Sequence, residues 1–171
     1  MKKNVLIYGL IMGVLFCANM IYTVNLCYSN PEYESNDLLG YTLMVVVNAL
    51  TFVGILNYRN KELGGYISFG KAFKVGAFMV LLASAMYVIV WLFYFYNFVP
   101  DWMDAYTKHV LVQAQRDGAT AAELAQQTEQ MEQFKELYKS PVMVVLITFA
   151  EILPVGLIVA LISALILRKK Q

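Results

Sequence analysis

Charge is what this 171-residue chain has least of. Asp, Glu, Lys and Arg make up 15% of it, against 60% hydrophobic residues. A soluble domain spreads polar groups through every element, because each element presents a face to water. Here five charge-free runs (4–31, 38–58, 75–100, 140–150 and 152–167) take up well over half the chain. The remainder is too short and too charged to build a core of its own. Runs of about 18 or more apolar residues instead match the roughly 30 Å hydrocarbon layer of a bilayer. A soluble enzyme and a disordered chain are excluded.

Cysteine is scarce as well. Cys17 and Cys27 are the only two, and ten residues of helix would hold them about 15 Å apart, too far for a disulfide within one chain. That excludes a disulfide scaffold and leaves both as apolar packing groups. The single histidine, His109, has no second ligand at metal spacing and reads as part of a solvated helix face. No HExxH, GxSxG, dinucleotide-binding glycine pattern or paired-cysteine zinc site occurs. The expectation is therefore a protein without catalytic residues, cofactor or metal. A net charge of +1 likewise carries no nucleic-acid signature.

What is present is an all-α pattern, a four-helix membrane bundle forming one domain over residues 1–171. Lys2 and Lys3 ahead of an apolar stretch imitate a signal peptide. The stretch runs from Val5 to Tyr28, however, longer than the roughly 7–15 residues of a signal core, and reads as a retained helix. Spans are expected at about 4–28, 38–57, 72–99 and 141–167. Lys2, Lys3, Arg59, Lys61, Lys71, Lys74, Arg168, Lys169 and Lys170 fall on one side, nine basic residues in all. The other side has only Lys108, Arg116, Lys135 and Lys139, with Glu32, Glu34 and Asp37 in its short loop. The positive-inside rule then puts both termini in the cytoplasm. Tyr22, Tyr28, Tyr33, Tyr94, Tyr96 and Trp102 mark one interface, and Tyr8, Tyr58 and Tyr66 the other.

Between the third and fourth spans, residues 100–140 predict an extracytoplasmic helical hairpin. Pro100 interrupts, Gly118 breaks, and Thr120 with Glu123 matches a capping box. Ser140-Pro141 suits the N-cap and first turn of the fourth span. Leu124, Met131, Phe134, Leu137 and Tyr138 recur at helical spacing. They read either as the contact between the two arms or as a docking face, over 120–138, for a protein partner or a second copy.

These residues also carry a resemblance. The stretch Asn57-Tyr58-Arg59 through Leu63-Gly64-Gly65-Tyr66-Ile67-Ser68-Phe69-Gly70-Lys71-Ala72-Phe73-Lys74-Val75-Gly76 resembles the signature of domain-of-unknown-function family 4199 (DUF4199). So do the aromatic end of span three with Pro100-Asp101, the Glu-rich outer helix, and Glu151-Ile152-Leu153-Pro154-Val155-Gly156. The resemblance covers essentially the whole chain. It implies a four-span protein of the bacterial inner membrane and brings no activity or functional residue with it.

Four candidate features remain. Glu151 is the one ionisable residue inside a span, about 15 Å of helix from Pro141 and so near mid-membrane. An acid there costs a few kcal/mol on insertion scales, so it should face the bundle interior. Pro154 should kink the helix beside it. Asn19 lies at similar depth, Asn48 and Ser84 lie somewhat nearer the cytoplasm, and together they could join Glu151 in a polar site. Such a site reads as a proton or cation relay, or more plainly as glue between helices. The second feature is the basic loop, where Arg59, Lys61, Lys71 and Lys74 are candidate lipid-headgroup contacts. The third is Gly65 to Lys71, which imitates a P-loop until Ala72 stands where a Mg²⁺-holding hydroxyl belongs. The fourth is small-residue spacing, Gly9 and Gly13 in span one and Gly156, Ala160 and Ala164 in span four. It suggests that these two spans pack on each other or on another copy. On sequence alone the leading expectation is a non-enzymatic scaffold or interaction partner among membrane lipids. The alternative is a small transporter or proton/cation-coupled protein that uses Glu151.

Overall fold

A backbone in hydrocarbon must satisfy its own hydrogen bonds, and a helix does so within one segment. Three of the apolar runs accordingly form single long helices, α1 (Lys2–Ser29), α4 (Phe69–Phe98) and α7 (Pro141–Leu167). The second run forms α2 (Asp37–Asn48) and α3 (Leu50–Glu62), and the hairpin consists of α5 (Trp102–Arg116) and α6 (Ala121–Tyr138). The structure, a computed structural model, describes residues 1–30, 33 and 36–169. Glu32, Glu34 and Lys170 lie outside the described residues, as does the side chain of Asp37. Four helical stretches, with α2 and α3 counted together, are long and apolar enough to cross a membrane.

The outward faces of these helices are largely apolar. Leu6, Leu10, Val14, Phe78, Ile89, Ile158, Ile162 and Ile166 are all exposed, which suits lipid and not water. Inside, α4 is the central post, and α1 and α7 pack along opposite sides of it. Small residues permit the close approach. A Cβ on Gly9 would meet Leu82 at 2.9 Å, and one on Gly76 would meet Thr51 at 2.9 Å. The small-residue faces of spans one and four are therefore spent on span three. Gly13 faces Met86 and Gly156 faces Val80, so these two spans do not pack on each other through them, and neither face is left open for a second copy.

The crossing expected as one helix over 38–57 is broken at its middle. Asn48 Nδ2 donates to the Met44 carbonyl at 2.9 Å, competing with the backbone for it. The Ala49 N–H is left shared among the carbonyls of Val45, Val46 and Val47. Below the break, α3 packs against α1, α4 and α7. Above it, α2 packs on α7 and only lightly on α1. Leu38 is 79% exposed and Val46 60%, and only Met44, Val47 and Asn48 turn inward.

Both termini lie at one end. The N-terminal ammonium meets Glu62 at 2.6 Å, and Ile67 exchanges backbone bonds with Lys169 at 3.0 and 2.9 Å. Gly64 and Gly65 turn the chain there with φ of +62° and +92°, which favours glycine. Span three begins earlier than expected, at Phe69, directly after this turn.

At the opposite end α5 and α6 pack antiparallel. Lys135 near the end of α6 pairs with Asp104 at the start of α5. Gly118 turns between them with φ +87°. The capping box forms in full, with Thr120 N–H donating to Glu123 Oε2 at 2.7 Å and Glu123 N–H to Thr120 Oγ1 at 3.3 Å. Ser140 occupies the N-cap of α7 without a side-chain bond.

Candidate functional site

Because α2 packs on α7 and meets α1 only lightly, while α1 stays on α4, a cavity opens between α1 and α2. It has a volume of about 700 Å³, within the range of small-molecule sites. Its walls are α1 (Leu15 to Val24), α2 (Gly40 to Val47), α4 (Tyr87, Trp91) and α7 (Ile147 to Ile152). The feet of the hairpin roof it with Trp102, Met103 and Tyr106 from α5 and Phe134 and Tyr138 from α6. Leu15, Asn19, Tyr41 and Leu43 of the lining are exposed, so the cavity is open on the side where α1 and α2 diverge.

Glu151 lines this cavity and is exposed to it. Among the described residues it is the one acid of the lining, which contains no Lys, Arg or His. Tyr87 and Tyr138 line the same cavity. The Tyr138 hydroxyl is within reach of the Thr148 hydroxyl and the Trp91 indole N–H. Burial first, and the Glu151 carboxylate second, push the Tyr138 phenol up to about 12. Tyr138 is thus a neutral donor throughout the physiological range. Thr148 itself donates to the Val144 carbonyl at 2.7 Å.

The roof is aromatic. Trp91 and Trp102 stand nearly perpendicular, 84° apart with centroids at 6.0 Å, and Trp102 stacks on Tyr106 at 5.7 Å. Phe95 and Phe134 close on Tyr138 from two sides at 5.7 and 5.2 Å. Two of the residues that recur along α6, Phe134 and Tyr138, are thereby turned onto the bundle. Leu137 remains 41% exposed.

Of the residues singled out in the sequence, the cavity brings together Glu151 and Asn19. Asn48 and Ser84 do not line it. Both are fully buried, and Asn48 Oδ1 and Ser84 Oγ have no hydrogen-bond partner. Asn48 Oδ1 points instead at Gly156, 2.8 Å from where a Cβ would stand. The site residues that composition did not mark are Tyr87, Trp91, Tyr106 and Thr148. The one available hint was Thr148 standing three residues before Glu151, on the same face of a helix.

A second hollow, about 510 Å³, lies near the hairpin tip between Val110, Gln113, Asp117, Glu123 and Gln127, with no aromatic residue in its lining. His109 packs edge-on to Tyr33 at 5.7 Å. Among the described residues no group of three or more His, Cys, Asp or Glu is placed to hold a metal ion. The basic loop sits at the terminal end. Arg59 donates to the Leu167 carbonyl at 3.2 Å, Lys71 lies 6.0 Å from the Tyr58 ring centroid, and Lys61 and Lys74 are exposed. Ala72 lies inside α4 and is fully buried, far from the strand–loop–helix setting of a P-loop.

No curated protein and no solved structure matches the chain. The profile of a family of proteins of unknown function, DUF4199, matches residues 4–169. From the first span to the last, then, the chain belongs to the DUF4199 family.

Proposed function

We propose that this is a non-enzymatic, small-molecule-binding protein of a bacterial cytoplasmic membrane, working through the Glu151 cavity as a receptor or carrier. The observation that carries the reading is the cavity itself. An interhelical glue residue would sit in packed surroundings, whereas Glu151 lines about 700 Å³ of open space walled by aromatic rings. The scaffold reading relied on an apolar stripe along α6, and Phe134 and Tyr138 of that stripe pack onto the bundle. What remains open is too little to favour docking over binding. The cytoplasmic placement of both termini rests on nine basic residues of the sequence, eight of which, all but Lys170, lie among the described residues of the terminal end. There, Arg59, Lys61, Lys71 and Lys74 are suited to anionic headgroups.

Both tryptophans of the chain, Trp91 and Trp102, line the cavity, so their fluorescence reports on this site. A panel of cationic, anionic and neutral aromatic amphiphiles is titrated into protein held in nanodiscs. At least one should change the emission saturably. Gly40→Phe should abolish the change, because Gly40 lines the cavity and a Cβ there meets nothing within 4 Å. If no member of the panel alters the emission, the binding reading is lost and the scaffold reading takes its place.

A further inference from the structure

Resting on the binding reading above, we propose that the cavity accepts a lipophilic organic monocation, its charge met by Glu151 and its body by the rings of Tyr87, Trp91, Trp102, Tyr106 and Tyr138. Three observations combine. First, among the described residues the lining holds one acid and no base. An anionic guest would be repelled, and a phospholipid headgroup would bring in a phosphate with no cation to receive it. Second, the rest of the wall is rich in aromatic groups, which attract cations through the negative potential over their faces. Trp91 and Trp102 meet edge to face with their planes 84° apart, so their ring normals point in two directions and the aromatic wall is not a single flat surface. Third, the polar side chains that share the lining with Glu151, Asn19, Thr23, Thr148 and Tyr138 among them, are uncharged.

The shape sets the remaining chemistry. A small metal ion strips its water only for several hard oxygen ligands, and Glu151 is the sole carboxylate among the described residues of the lining. A cation with delocalised charge or alkyl substitution is already weakly hydrated, and one carboxylate with aromatic walls suffices for it. The cavity volume of about 700 Å³ admits a multi-ring body. Leu15, Leu43, Met44 and Ile152 supply apolar contact for such a body.

The test uses the full chain in nanodiscs of zwitterionic lipid, with empty nanodiscs subtracted. Tetraphenylphosphonium, tetraphenylborate and triphenylphosphine oxide serve as cationic, anionic and neutral probes of similar bulk. The cation should quench Trp91 and Trp102 saturably and bind at least about tenfold more tightly than the anion. Glu151→Gln should weaken the cation about tenfold or more while leaving the neutral probe within about twofold. Tyr106→Leu, placed in the roof away from the helix-packing faces, should weaken the cation and spare the fold. Equal binding of cation and anion, or an unchanged cation affinity in Glu151→Gln, overturns the proposal and leaves the cavity as a neutral-ligand site. If none of the three probes binds, the binding reading itself has failed.

Discussion

A Cβ built on Gly156 would come within 2.3 Å of Val80 Cγ1 and 2.8 Å of Asn48 Oδ1, whereas one built on Gly13 would meet the Met86 sulfur at 2.7 Å. The neighbours decide the outcome. Val80 is a β-branched side chain, 1% exposed, in the middle of α4, and it has no free rotamer to retreat into. The Met86 sulfur belongs to a flexible side chain that can swing aside. Gly156→Ala should therefore destabilise the bundle by about 1–3 kcal/mol, and Gly13→Ala by clearly less, as read from thermal unfolding in mild detergent. At this scale the sequence was readable where a residue broke its surroundings. Glu151 stood out because an acid interrupts a charge-free run. Tyr87 and Trp91 did not, because an aromatic in an apolar run looks like any packing group until two helices diverge beside it.

Among the elements, the hairpin depends on its turn. Gly118 has φ +87°, and a Cβ there meets nothing within 4 Å, so a side chain at 118 introduces backbone strain without a clash. Gly118→Ala should cost about 1–2 kcal/mol, and Gly118→Asn less, because asparagine tolerates the left-handed region. The loss should appear as faster hydrogen exchange in α5 and α6, with the spans unchanged. The cap of α6 adds a pH dependence. Backbone and side-chain bonds from Thr120 hold the Glu123 carboxyl below its ordinary value. Its contribution is complete above the normal carboxylate range and is lost as pH falls through the lowered value. The exchange protection of α6 relative to its Thr120→Ala variant should therefore shrink on acidification. Capping box, glycine turn and span lengths were all legible, because each is a local signal. The break at Ala49 was not. Asn48 was visible as a polar residue, but Asn25 and Asn97 make the same bond to the carbonyl four residues back inside unbroken helices, so the residue type alone does not mark a break.

For the molecule as a whole, the arrangement of helices around α4 was beyond sequence reasoning. GxxxG spacing names a face and not its partner, and α4 supplied the partner for both α1 and α7. Orientation is the global property most open to direct test. Gln115 in the hairpin and Asn60 at the terminal end are both exposed. Cys17 and Cys27 are only 7% and 1% exposed and should stay silent. A membrane-impermeant thiol reagent applied to intact cells should label Gln115→Cys and reach Asn60→Cys only after permeabilisation. The reverse pattern would refute the cytoplasmic placement of the termini.

On the proposed reading, the gap between α1 and α2, where Leu15 and Leu43 are exposed, gives a guest a route into the cavity from the bilayer. The bilayer then acts as a reservoir that sets the concentration the cavity experiences. For a molecule that lipid concentrates about a hundredfold over water, the site needs about 2.7 kcal/mol less intrinsic affinity to be filled at a given aqueous level. Occupancy should accordingly follow the guest's mole fraction in the membrane. Diluting the protein with more lipid at fixed total guest should empty the site, even though no contact within it has changed.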